Sequence, residues 1–269
     1  MKHIALFALA CLILSACAPT AATPTPIPAT PTTEPSATPE PPEGVSIYFV
    51  DTAQFEITTP AGWRVLIDVA NPNLLTSPPT EQDILLVTHG HGDHYNKTFV
   101  DAFPGQKLIV EEGQIELPGV SIRGIASAHN AADLMLPKDG SNYIFIIDVA
   151  GLRLAHFGDI GQEEFTPEQL EALGQVDVAM TQFVNSFSAM DIYNLKGFNL
   201  MEQLQPRVVI PTHSSLKASE EAVNRWAGYA CEQPCFINKE NLPAEASILF
   251  IGNLASSYQT IYNLPGLTP

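Results

Sequence analysis

The sequence predicts an α/β fold of the α+β kind, in which layered sheets carry helices on their outer faces. Two observations carry this. Short apolar runs rich in Val, Ile, Leu and Phe, bounded by glycine, proline and acidic residues, recur through most of the chain, which is the pattern of buried strands. Strands come first with few helices between them, and strand–helix alternation follows only later in the chain.

Residues 45–50 and 54–58 read as the first two strands, and residues 63–69 as the third, after a Pro60-Ala61-Gly62 turn. Residues 83–88 form a fourth that runs into a histidine-rich loop. Further strands are expected at 107–110, 120–127, 142–149 and 152–157, the last two joined by a tight hairpin at Gly151. Thr166-Pro167-Glu168-Gln169 is a helix start: Thr166 caps, Pro167 takes the first turn and Gln169 completes a capping box. That helix should end near Leu173-Gly174. Residues 176–180 and 207–211 read as short buried strands, 217–229 as a helix, and 247–251 and 258–262 as strands that close the sheet.

The first forty-odd residues stand apart. Lys2 and His3 precede an apolar run over residues 4–14 that ends Leu14-Ser15-Ala16-Cys17. This is the order of a secretory signal, and the run is too short for a spanning helix, which needs about 20 apolar residues. The Leu-Ser-Ala-Cys segment resembles the lipobox of bacterial lipoproteins, which implies cleavage after residue 16 and lipidation of Cys17. Residues 17–43 are dominated by Pro, Thr and Ala without an aromatic residue, so they cannot bury enough apolar surface to fold and read as an extended tether. Residues 44–269 then form one domain, held outside the cytoplasm at a membrane by a lipid.

Lys and Arg number 12 against 29 Asp and Glu, for a formal charge of −17. Such a chain lacks the clustered cations that nucleic acid or an anionic lipid surface requires, so the lipid is the expected anchor and nucleic acid is not an expected partner. Oligomeric state is not legible. Of four cysteines, Cys11 lies in the signal and Cys17 at its end. Cys231 and Cys235, in an extracytoplasmic Cys-Glu-Gln-Pro-Cys, are expected to form a disulfide.

Chemistry concentrates in His89-Gly90-His91-Gly92-Asp93-His94, directly after the apolar Ile84-Leu85-Leu86-Val87. Imidazoles and a carboxylate on a loop that glycines allow to bend are ligands suited to zinc and similar divalent ions. Three more polar residues follow apolar strands: His129 in Ser-Ala-His-Asn, Asp159 in His-Phe-Gly-Asp, and His213 in Pro-Thr-His-Ser. Strand ends of one sheet edge can build one shared site from such residues.

The series His-x-His-x-Asp-His, then His, then Asp, then His, each after a strand, resembles the metallo-β-lactamase fold of metal-dependent hydrolases across the folded part of the chain. The stretch from Ala155 to Leu173 is similar to a compact branch that includes ascorbate-phosphate lactonase-like proteins. The resemblance implies a four-layer αββα sandwich with its site at one edge of the sheets. It puts His89, His91 and His129 on a first metal, and Asp93, His94 and His213 on a second, with Asp159 bridging. Asp68 would support the site from behind, while His156 has no metal role in the family. The implied cofactors are two divalent ions, zinc first, with manganese or iron also accepted by such ligands. The implied chemistry is attack by a metal-bound hydroxide on a small ester, lactone or phosphodiester, with Asp93 orienting the nucleophile and Asp159 holding both ions.

Within that resemblance, His91 stands where di-iron redox members are expected to carry Glu, and no Cys ligand lies near Asp159. Hydrolysis is therefore favoured over electron transfer and over lactam hydrolysis of the familiar kind. Residues 182–191 depart from the glycine-rich segment of the related branch. There Asn185, Tyr193 and Lys196 could face a ligand, although a surface segment leading into a helix is the simpler reading. A surface module that retains metal without turnover stays open as the alternative.

Overall fold

The computed structural model describes residues 43–130, 141–252 and 262–267. The signal, Cys17 and nearly all of the tether lie outside them, as does the strand expected at 258–262 except for Tyr262. Fourteen strands form two sheets among the described residues.

The six-stranded sheet contains β1 (Val45–Asp51), β2 (Gln54–Thr58), β3 (Arg64–Ile67), β4 (Asp83–Val87), β5 (Gln106–Ile109) and β13 (Cys235–Ile237), in the order β13-β1-β2-β3-β4-β5. Its β3, β4 and β5 run parallel. The eight-stranded sheet contains β6 (Gly113–Leu117), β7 (Val120–Ala128), β8 (Ser141–Val149), β9 (Leu152–His156), β10 (Val178–Thr181), β11 (Val208–Pro211), β12 (Ala227–Cys231) and β14 (Ser247–Ile251), in the order β12-β14-β11-β10-β9-β8-β7-β6. Here β9, β10, β11, β14 and β12 are parallel, while β7, β8 and β9 alternate in direction.

Alternation along the strands divides the core into layers. Ile84 and Leu86 of β4 join Phe145 and Ile147 of β8 between the sheets. Leu85 and Val87 face outward against Val100 of α1 (Lys97–Ala102) and the adjoining Phe103. On the far side, Ile144 and Ile146 pack with Leu173 of α2 (Pro167–Leu173), Phe198 and Met201 of α3 (Lys196–Leu204), and Ala218 and Ala222 of α4 (Leu216–Arg225). The result is the expected αββα order. Each fully buried large apolar side chain contributes about 1.5–3 kcal/mol.

Thr166 caps α2 through its side chain and Gln169 returns the bond, so the capping box forms. The helix expected over 217–229 stops earlier: α4 ends at Arg225, and Tyr229 lies in β12. That segment pairs in parallel with β14 from Ala227↔Ser247 to Cys231↔Ile251, and these ladder bonds outweigh local helix preference. Cys231 and Cys235 are joined by a disulfide, which ties β12 of one sheet to β13 of the other. Strands β6, β12 and β13 and helices α1 and α3 were not legible. β6 buries only Ile115, β13 has three residues, and α3 begins at a left-handed Leu195 without a side-chain cap.

Candidate metal centre

Strand direction brings the polar loops together. β4 ends at the loop that carries His89, His91, Asp93 and His94, and β9 and β11 end just before Asp159 and His213. β7 is antiparallel to β8, which is antiparallel to β9, so β7 and β9 point the same way. His129, just past β7, therefore reaches the same edge. Open parallel sheets place their sites at this carboxyl edge of the strands.

Two groups of possible ligand atoms result: His89, His91, His129 and Asp159 in one, and Asp93, His94 and His213 in the other. Asp159 reaches both. Its Oδ2 lies 3.4 Å from His89 Nε2 and 3.6 Å from His129 Nε2. Its Oδ1 lies 3.2 Å from both His94 Nε2 and His213 Nε2. Asp93 is exposed, with Oδ2 3.9 Å from each of those two imidazoles.

Gly90 and Gly92 do not bend this loop in the manner expected. Neither has a positive φ, and a side chain at either would meet open space. The turn is set instead by backbone bonds from His94 and Tyr95 to the His91 carbonyl, at 3.0 and 2.8 Å. The glycine that matters is Gly158, at φ +53. A Cβ there would stand 2.2 Å from Asn142 Oδ1 and 2.6 Å from Thr88 Cβ. That same Asn142 Oδ1 accepts from the Asp159 N–H at 2.9 Å, so the close approach fixes the carboxylate's backbone.

Behind the cluster sits Asp68, fully buried. It accepts from the Thr88 N–H and Oγ1–H, both at 2.8 Å. His94 Nδ1 and His156 Nε2 lie 2.8 and 2.9 Å from its Oδ2. An ionised carboxylate only accepts, so both imidazole nitrogens donate. Thr88 Oγ1 has spent its proton on Asp68, so His89 Nδ1, 3.1 Å away, donates to it. Asp68 thus sets the tautomers of His89 and His94 and leaves both Nε2 lone pairs directed at the cluster. Fixing imidazoles by a partner on the far nitrogen is how proteins orient metal-binding histidines.

The electrostatics follow from this packing. Burial opposes charge on Asp68, but the His94 charge and the hydrogen bonds of His156 and His94 hold it below the usual carboxylate range. Burial likewise opposes charge on Asp159, and the imidazoles of His129, His213, His89 and His94 outweigh it. Burial lowers His89. Burial would lower His94 too, but Asp68 and Asp159 push it up to about 10. The carboxylates that hold a proton there favour any cation at the same place.

The donor set fits divalent metal ions. Buried His89 Nε2, His129 Nε2 and Asp159 Oδ1 have no hydrogen-bond partner, and each faces the cluster. His94 Nε2 and His213 Nε2 lie 3.2 Å apart, a contact that needs a cation or a proton between two lone pairs. Buried polar atoms without partners cost roughly 1–3 kcal/mol each, so three at one point mark a place that a cation completes.

Segment 182–191 is only in part the surface stretch expected: Ser186, Phe187, Ala189 and Asp191 are exposed, while Gln182, Phe183, Asn185, Ser188 and Met190 are buried. Asn185 is buried, and its Nδ2 donates to Asp159 Oδ2 at 2.7 Å and to Gln182 Oε1 at 2.8 Å. Lys196 is buried as well and pairs with Glu163 at 3.0 Å. Of the three named residues, Tyr193, 83 % exposed, is the one at the surface. Thr88 and Asn142 were missed because a lone Thr or Asn near a strand end carries no spacing signal, whereas Asn185 was named as a residue that could face a ligand and faces Asp159.

Residues 46–213 match the model of the "Beta-lactamase superfamily domain". The chain belongs to the β-lactamase superfamily. Among this superfamily's members, it is 26% identical over 239 residues to a UPF0173 metal-dependent hydrolase of Thermococcus onnurineus, covering 78% of this chain and 98% of that protein. A similar relative from Pyrococcus abyssi is 26% identical over 195 residues, covering 63% and 84%. The fold is shared with a Thermotoga maritima protein described as a Zn-dependent hydrolase of the metallo-β-lactamase superfamily, at TM-score 0.57 and 20% identity over 77% of this chain and 98% of that one. It is also shared with a protein from Parabacteroides distasonis, at TM-score 0.50 and 19% identity over 65% of this chain and 86% of that one. As a superfamily member with these relatives, the chain is a metal-dependent hydrolase. The non-catalytic alternative is set aside.

Proposed function

We propose that the protein is an extracytoplasmic, lipid-anchored hydrolase that holds two divalent ions and cleaves a small ester, lactone or phosphodiester. In this reading His89, His91 and His129 hold one ion, Asp93, His94 and His213 the other, and Asp159 bridges. The observation that carries it is the division of the Asp159 carboxylate, one oxygen toward each histidine group. Two ions there would supply a water acidified toward neutral pH and a Lewis acid for the substrate oxygen.

The chain's own groups do the rest. Asp68 keeps two imidazole lone pairs aimed inward. Asn185 restrains the Asp159 carboxylate through its Nδ2, and Asn142 restrains the Asp159 backbone. Asp93, the exposed carboxylate of the set, can accept a proton from a water between the groups and orient it. Hydrolysis adds the water oxygen to the substrate carbonyl or phosphoryl centre and breaks the bond to the leaving oxygen, which departs with a proton. Zinc is favoured by the imidazole majority, and manganese or iron also suits such ligands.

Metal content per chain tests the site. Wild type should hold two equivalents and hydrolyse one member of an ester, lactone and phosphodiester panel. Asp159→Asn should lose turnover and at least one equivalent, and His94→Ala should lose the second ion. Full metal content and activity in Asp159→Asn would refute the bridging role.

The lipid anchor is supported by the apolar run at residues 4–14 and by Leu14-Ser15-Ala16-Cys17. Cys17→Ser should move the protein from the membrane fraction to the soluble one. Equal membrane retention would overturn it.

A further inference from the structure

A cleft of about 480 Å³ opens against His213, within the size range of small-ligand pockets. Its lining sets Val50, Val184 and Leu216 among a polar majority that includes Thr212, Ser214, Ser215 and Gln233; Asp51 is its carboxylate, and none of the lining residues is a lysine or arginine. Asp51 ends β1, where Thr52 turns the chain at φ +53, and is exposed. Leu216 opens α4 and is 54% exposed. At the other histidine group, Phe187 is 73% exposed with its ring centroid 5.6 Å from that of His91. Large exposed apolar side chains are few among the described residues, and two of the four flank the metal centre. Asn185 connects one of them to the reaction site: its Oδ1 accepts from the Phe187 N–H at 2.9 Å while its Nδ2 holds Asp159.

We infer that this cleft is the subsite for one flank of an ester or lactone, that the flank carries no negative charge, and that Asp51 and Leu216 determine its specificity. Leu216 supplies apolar contact. Asp51 repels a flank that carries negative charge, and no cation lines the cleft to offset it. The inference rests on the hydrolase reading above and narrows its substrate.

The zinc-loaded protein is assayed with two pairs of esters. One pair differs in the acyl chain, hexanoyl against a chain of equal length ending in carboxylate. The other differs in the same way in the alcohol. Preference for the neutral member by about tenfold in kcat/KM is expected in one pair, and Asp51→Asn should reduce it to about threefold or less. Leu216→Ala should lower kcat/KM for that neutral ester about fivefold and leave the corresponding short ester, acetyl or methyl, unchanged. No preference in either pair, or one that survives Asp51→Asn, overturns the inference.

Binding of non-hydrolysable ketones, 2-octanone against 7-oxooctanoate, is followed by NMR in wild type and both variants. If no ester is cleaved, the ester reading fails by itself, and the ketones judge the cleft. Discrimination that Asp51→Asn removes supports the subsite; equal binding, or discrimination that persists in Asp51→Asn, refutes it.

Discussion

Asp68 and Asp159 are both buried carboxylates, yet they do different work. Asp159 faces four imidazoles and leaves Oδ1 without a hydrogen-bond partner. Asp68 spends both oxygens on Thr88, His94 and His156. The difference predicts different failures. Asp68→Ala should keep all seven proposed ligands but lose their alignment, because the protons on His89 Nδ1 and His94 Nδ1 are no longer directed. Affinity for both ions should fall 10–100-fold, the usual effect of removing such a support, and competition with a chelating dye measures it. Unchanged affinity for both ions would reduce Asp68 to a packing residue. His156 acquires a role through the same carboxylate. As a sequence feature it was a strand residue with no metal role, expected behind the ligands or in the core; in the fold its Nε2 completes the set of donors on Asp68, and its ring meets Phe55 edge-on at 5.5 Å.

At the scale of elements, legibility followed local chemistry. α2 was read from four residues because its cap is local: the Thr166 hydroxyl accepts from Gln169 N–H at 3.2 Å and Gln169 Oε1 accepts from Thr166 N–H at 3.0 Å. Thr166→Ala should cost about 1 kcal/mol in denaturant unfolding. Gln169→Ala should cost more, since the same amide donates to the Ala126 carbonyl at 2.9 Å and so ties α2 to β7. Equal costs would mean that the bond to β7 adds nothing. The elements that escaped reading were those whose stability is borrowed. β12 exists because β14 offers it an edge, and β13 because β1 pairs with it through Val45↔Ile237 to Ile47↔Cys235. Their sequences carry no period long enough to detect.

The described residues form two sheets, and the site lies at one edge where they meet. The Tyr143 N–H donates to the Thr88 carbonyl at 3.0 Å across that seam, and His156 of one sheet reaches Asp68 of the other. Metal bound between the sheets should therefore stabilise both. Each ion at 100 times its dissociation constant contributes about 2.7 kcal/mol by mass action, so chelation should lower Tm by several degrees. The loss should shrink as pH falls, because protons compete for imidazoles that must be neutral to bind, and first at His94, whose proton Asp68 and Asp159 hold up to about 10. A Tm indifferent to chelator, measured by scanning calorimetry on metal-loaded protein, would show that no ion bridges the sheets.

By itself the sequence determined the fold class, most strands, the capping of α2 and the residues that come together at the metal centre. Those features are written in hydrophobic period, local caps and strongly typed residues, all of which act within a few positions along the chain. Only the tertiary structure decided how the site is held: the tautomers set by Asp68, the restraint of Asp159 by Asn185 and Asn142, and the placing of Asp51, Leu216 and Phe187 around the centre. Those depend on contacts between residues as far apart as Asp68 and His156, and a side chain's partner across two sheets leaves no mark on its own neighbours in sequence.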